Sequence, residues 1–104
     1  MWIKTNTMDK LKKFDLMAKI ARELEDVRNS QQAVLEKIGK IEVDNIELGD
    51  ATIEKTIPEI YQKTAENSDA IKLILESFQQ KTEEFGDKNN VDKLREQQDI
   101  NNLK

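Results

Sequence analysis

The side chains in this chain that could do chemistry are carboxylates. Glu23 with Asp26, and Glu83 with Glu84, are of the type used for acid–base work or for holding a hard cation, and Asp44-Asn45-Ile46-Glu47 with Asp50 resembles a loose calcium loop. The spacing fails in each case. Residues 44–50 lack the one, three, five, twelve ligand order of a calcium loop, and carboxylates paired along helices are ordinarily solvated faces. With no His and no Cys among 104 residues, the usual general base, the commonest zinc ligand and the thiolate nucleophile are all missing. Gly39, Gly49 and Gly86 stand singly, so no glycine-rich loop cradles a phosphate. The expectation is a protein that is not an enzyme, needs no metal or cofactor, and acts through its surface.

Composition narrows that surface. Charged and apolar residues each make up 37 % of the chain, with 5 % aromatic, three Gly and one Pro, which is the profile of long helices exposed along one side. Residues 1–40 carry nine Lys/Arg against six Asp/Glu, and residues 41–104 carry eight against fifteen. An acidic excess of this kind argues against nucleic acid, whose phosphates require a coherent basic face. Lys10, Lys12 and Lys13 beside Phe14 are diluted by Asp9 and Asp15, which weakens a membrane-surface reading. The densest apolar run, Ile71-Lys72-Leu73-Ile74-Leu75, is too short to insert in a bilayer, and the start lacks a signal-peptide pattern. A cytoplasmic protein, or one exported without a cleavable signal, is expected.

The elements that would position such a surface follow from apolar spacing. Ile53, Ile57, Ile60, Thr64, Asn67, Ile71, Ile74, Phe78 and Phe85 fall on alternating steps of three and four, apart from the last. Met17, Ile20, Leu24, Val27, Gln31, Val34, Ile38 and Ile41 do the same. Both series predict helices with one apolar stripe. Gly39 is suited to end the first helix, and Thr56-Ile57-Pro58-Glu59 reads as a capping box with Pro in the first turn of the second, although Asp50 or Thr52 would serve to cap an earlier turn. The predicted organisation is a tail at 1–7 containing Trp2 and a cap at Thr7, a helix at 8–38, an acidic hinge at 39–55, a helix at 56–86, and a flexible or weakly helical tail at 87–104. Ile41, Val43, Ile46 and Leu48 of the hinge would cover the end of the core.

Folding back about residue 47 or 48 puts Ile38 opposite Ile57, Val34 opposite Ile60 and Leu24 opposite Ile71, and it places Gln31 opposite Thr64. Gln31 and Thr64, with Asn67 one step away, would form a polar layer that specifies the register, because a slipped pairing strands an amide. The same stripes also fit a parallel homo-oligomer. The fold class expected is all-α, an antiparallel, coiled-coil-like two-helix hairpin. Tyr61, Ala65, Leu73 and Leu75 on the second helix, with Ala18, Ala21 and Leu35 on the first, lie off the expected seam and would form a partner-binding edge that completes a four-helix bundle.

A chain of this length, free of Cys, built as two equal helices about a Gly-containing hinge, resembles the small helical-hairpin proteins of bacterial type VII secretion, which include WXG-type proteins and the helpers of LXG toxins. That group's Trp-x-Gly turn has no match here, since the hinge offers only Leu48-Gly49 and the sole Trp is Trp2, and Phe85-Gly86-Asp87-Lys88-Asn89 is a degraded form of its aromatic-x-x-x-acid targeting signal, with Asn89 in the acidic place. The resemblance implies a helper or adaptor that binds a helical partner, either an LXG-type toxin or a second hairpin. The competing class is a self-associating coiled coil of phage or cytoskeletal kind.

Overall fold

The computed structural model describes residues 7–103 and is helical throughout that span apart from two short turns. Three helices follow one another: α1 (Thr7–Leu48), α2 (Ala51–Lys88) and α3 (Val91–Asn102). α1 and α2 pack against each other as an antiparallel hairpin. Trp2 lies outside the described residues, as does the side chain of Thr7.

The first correction concerns the hinge. α1 does not stop at Gly39 but continues for nine residues to Leu48, so the expected acidic hinge at 39–55 is almost entirely helix. A single Gly costs a helix about 1 kcal/mol relative to Ala, less than the burial of Ile38 beside it contributes, and Asn45, two turns further on, is buried as well. The residue that does end α1 is Gly49, whose φ of +71° is the left-handed conformation in which a Cβ would be strained. Asp50 then starts α2. Its carboxylate accepts a hydrogen bond from the Ile53 N–H at 3.0 Å and its carbonyl accepts from the Glu54 N–H at 3.0 Å, the pattern of an N-cap. Thr56-Ile57-Pro58-Glu59 is therefore not the start of the second helix. Pro58 sits inside α2, where it has no N–H for the Glu54 carbonyl.

By its contacts the chain forms two compact units. Unit 2, Leu24–Leu75, is the closed end of the hairpin. Its least exposed positions are Leu24, Gln31, Leu35, Ile38, Gly39, Glu42 and Asn45 on α1, and Ile53, Ile57, Thr64, Ala65, Ser68, Ile71 and Leu75 on α2.

Unit 1 is built from the described parts of Met1–Glu23 and Glu76–Lys104. Leu11 and Val91 are buried in it, with Phe14, Phe78 and Phe85 half-buried. Gly86 is the point of close approach: a Cβ there would sit 2.9 Å from Cε1 of Phe14. That contact, rather than helix termination, is what Gly86 supplies, since α2 runs on to Lys88. Termination falls to Asn90, whose φ of 50° is in the left-handed region that Asn tolerates. The tail at 87–104, expected to be flexible or weakly helical, is largely α3. It packs through Val91 and through a two-pronged ion pair in which Arg95 Nη1 and Nη2 donate to the Asp15 carboxylate, the first at 3.2 Å. The Arg95 hydrogen bond holds the Asp15 carboxyl below the usual value of 3.8, and the same bond raises Arg95.

Two predictions follow from these elements. In urea denaturation followed by circular dichroism, Gly39→Ala raises stability by about 0.5–1 kcal/mol, because nothing lies within 4 Å of the added methyl. Gly49→Ala lowers it by about 1–2 kcal/mol through left-handed strain, and Gly86→Ala loses its helical gain against the Phe14 ring. A rise for Gly49→Ala with a fall for Gly39→Ala would restore the expected helix end at residue 39. The second concerns pH. Because the folded Asp15 value is depressed, its contribution is complete above 3.8 and disappears as pH falls through the lower folded value. Both side chains are partly exposed, so the effect is about 0.5 kcal/mol or less. Loss of order in α3 between pH 6 and pH 2, measured by nuclear magnetic resonance, should exceed that of the Asp15→Asn variant; equal loss in both would remove the pair from the account.

Candidate protein-interaction face

The turn sets the geometry of unit 2. The Asn45 side chain spans it, with Nδ2 donating to the Asp50 carbonyl at 3.1 Å and Oδ1 accepting from the Asp50 N–H at 2.9 Å. With the Gly49 N–H donating to the Asn45 carbonyl at 2.7 Å, the crossing from one helix to the next is closed on both sides.

A turn at Gly49 and Asp50 lies beyond the expected fold-back at 47 or 48, and the register moves with it. Phe14 and Lys13 would have faced Lys81 and Thr82; instead Phe14 meets Gly86, and the Lys13 ammonium lies 5.2 Å from the centre of the Phe85 ring. The slip is about one helical turn. In unit 2 Gln31 and Thr64, the expected polar layer, are both half-buried, as are Leu35 and Ser68, and a shift of one turn there would put Gln31 level with Ser68 and Leu35 level with Thr64.

The seam is also rotated. On α1 the less exposed series steps from Gln31 to Leu35, Ile38, Glu42 and Asn45, leaving Val27, Val34 and Ile41 outside it; on α2 it steps from Thr64 to Ser68, Ile71 and Leu75, leaving Ile60, Asn67 and Ile74 outside. Val27, Val34, Ile41, Ile60 and Ile74 keep between 42 and 54 % of their surface exposed. Val34, Ile41 and Ile74 each immediately precede a seam position on their own helix, and Val27 and Ile60 precede Arg28 and Tyr61, which continue the same three-and-four series although they are exposed. In an antiparallel pair, positions that precede the seam on the two helices flank it on the same side. Unit 2 therefore carries one apolar face on one side of the hairpin, formed by the outer halves of both stripes. Asn67 lies within it, exposed, and Gln31 and Thr64 border it, half-buried.

The chain matches no family model, no curated protein and no solved structure. The face accordingly has to be judged on its own residues.

The expected partner-binding edge is redistributed. Leu75 is 2 % exposed and belongs to the hairpin seam, so it is not available to a partner. Leu35 and Ala65 are half-buried in unit 2, and Ala18 and Ala21 are half-buried in unit 1. Of that set only Leu73 and Tyr61 are exposed. The targeting-like residues are engaged locally: Phe85 lies under Lys13, the Asn89 Nδ2 donates to the Phe85 carbonyl at 2.9 Å, and Asp87 is exposed. Here that sequence sits in the last turn of α2 and at its exit.

Glu23, Asp26, Glu83 and Glu84 are all exposed. Among the described residues no group of three or more His, Cys, Asp or Glu is placed to hold a metal ion, and no helix is long and apolar enough to cross a membrane. Reasoning from spacing missed Asn45 as the clamp of the turn. Its signal was the order Gly49-Asp50, a helix-ending residue followed at once by a helix-starting one.

The register is open to a direct check by cross-linking, since the chain has no native Cys. Oxidised at low concentration, the Gln31→Cys, Ser68→Cys variant forms an intrachain disulfide faster than the Gln31→Cys, Thr64→Cys variant, read by mobility on a non-reducing gel. The reverse order would return the register to the one expected from the fold-back at 47 or 48.

Proposed function

We propose that this chain is a non-enzymatic helical protein-interaction module, a helper or adaptor that completes a four-helix bundle with a helical partner. The observation that carries this reading is the displacement of both apolar stripes to the same side of unit 2. Each stripe is centred one wheel position from the hairpin seam, about 50° around the helix. In a square bundle of four helices the centre lies about 45° from the direction of either neighbour, so stripes placed this way point at a bundle axis that two further helices would share. A parallel homo-oligomer uses the stripes differently, each meeting its own copy head-on.

Charge favours a distinct partner over a second copy. Residues 24–75 carry eleven Asp/Glu against six Lys/Arg, so two copies of this unit bring like net charge together. The resemblance to type VII secretion proteins supplies the class of partner, the helical targeting domain of an LXG-type toxin, and with it a place of action in the cytoplasm or on an export route that uses no cleavable signal. Asn67, Gln31 and Thr64 would then be polar contacts that fix the partner's register, as a polar residue in an apolar seam does.

Co-expression with the helical targeting domain of an LXG-type toxin tests the reading. Wild type co-purifies with it at equal stoichiometry. The Val34→Asp, Ile60→Asp variant keeps its helicity, because both side chains are already partly exposed, and loses the complex by at least about tenfold in affinity. A chain that ignores the toxin helices and sediments as a dimer, with the same variant converting it to monomer, would overturn the adaptor reading in favour of the self-associating coiled coil.

A further inference from the structure

The closed end of unit 2 carries aliphatic side chains that neither the hairpin seam nor the lateral face uses. Ile46 is 83 % exposed, Leu48 74 % and Val43 65 %. These residues were expected to cover the end of the core, and they do not. Scattered exposed aliphatics are ordinary, but Ile46 lies beside Asn45, at the turn that Asn45 clamps and Asp50 caps, so its backbone is held in place.

A groove of about 340 Å³ opens there, walled by Ile46 on α1 and by Ile53 and Pro58 on α2, with Glu42 and Glu54 also lining it. Pro58 has no N–H to give the Glu54 carbonyl, and the Glu42 and Glu54 residues on the two helices make the groove lining acidic. Residues 41–54 contain five Asp/Glu and no Lys or Arg. A second copy would bring the same acids to this place and be repelled, whereas a basic occupant is matched by every charge in the stretch.

We propose that this groove docks a basic amphipathic helical segment of another protein. The apolar side chains of that segment rest on Ile46, Ile53 and Pro58, and its Lys or Arg side chains reach Glu42 and Glu54. The site is separate from the lateral face, since none of Val27, Val34, Ile60 or Ile74 lines it. Its volume is at the small end for binding sites and admits one or two side chains, so the interaction is of about micromolar strength and falls with ionic strength. The clamped turn favours it by leaving little ordering to be done on binding. A chain with both sites would hold one helical partner along its side and present its end to another.

The test is a titration of isotopically labelled full-length protein with a synthetic amphipathic helix of Leu and Lys, followed by nuclear magnetic resonance, beside the same peptide with Glu for Lys. The proposal expects shifts concentrated in residues 42–58 with the Lys peptide and none with the Glu peptide. Ile46→Lys, on a side chain too exposed to affect folding, weakens the Lys peptide by at least about tenfold. Ile60→Asp, which disables the lateral face, leaves this binding unchanged. Shifts along 27–34 and 60–74 with the turn unmoved would overturn the proposal and leave the lateral face standing. An equal response to both peptides, or no binding of the Lys peptide, would also overturn it.

Discussion

The hydrogen-bonded clamp at the α1–α2 turn is the constraint on which the rest of unit 2 depends. A two-helix hairpin has few tertiary contacts to determine which residue faces which, and sliding one helix past the other by a turn exchanges one aliphatic layer for a similar one. Asn45, buried and bonded through both ends of its amide to Asp50, makes only one crossing geometry satisfy those groups. Gly49 supplies the left-handed step between the helices and Asp50 the first cap of α2. Once that crossing is set, the register follows, and with the register the choice of which apolar residues are covered.

What is covered is thin. Among the described residues the buried aliphatics are Leu11 and Val91 in unit 1 and Ile38 and Leu75 in unit 2, while Val27, Val34, Ile41, Ile60 and Ile74 stay near half exposure. Two helices cannot enclose a stripe wider than their seam, and here both stripes overhang it on the same side. Unit 1 deals with the same shortage by different means. It adds α3, burying Val91 and pairing Arg95 with Asp15, and brings α2 close to α1 at Gly86. Unit 2 has no third helix of its own, so the outer part of its apolar stripes stays exposed.

The legible part of this fold was the periodic part. Ile57, Thr64, Ile71 and Phe78, with Met17, Leu24, Gln31 and Ile38, mark helices because their spacing of three and four survives any tertiary arrangement. The illegible part was punctuation. Gly39, Gly49 and Gly86 look alike in sequence, yet the first is helix interior, the second ends α1, and the third admits a Phe ring. Thr56-Ile57-Pro58-Glu59 matches a capping box and caps nothing, because Asp50 had started the helix six residues earlier. Local signals name positions where a helix can begin or end; the competition among them is decided by what each choice buries.

The sequence by itself determined two long helices with an apolar stripe on each, since these follow from residue type and periodicity. The tertiary structure alone decided that the seam runs through Leu35, Ile38 and Leu75 and that Val34, Ile60 and Ile74 remain outside it. The reason is geometric. A stripe of heptad positions spans about 100° of the helix surface, and a single neighbouring helix covers only part of that arc. Which part is covered depends on rotation about each helix axis, and this is set by the turn and by contacts distant in sequence. The displacement of both stripes to one side, on which the functional reading rests, is therefore a property of the pair of helices that neither helix encodes alone.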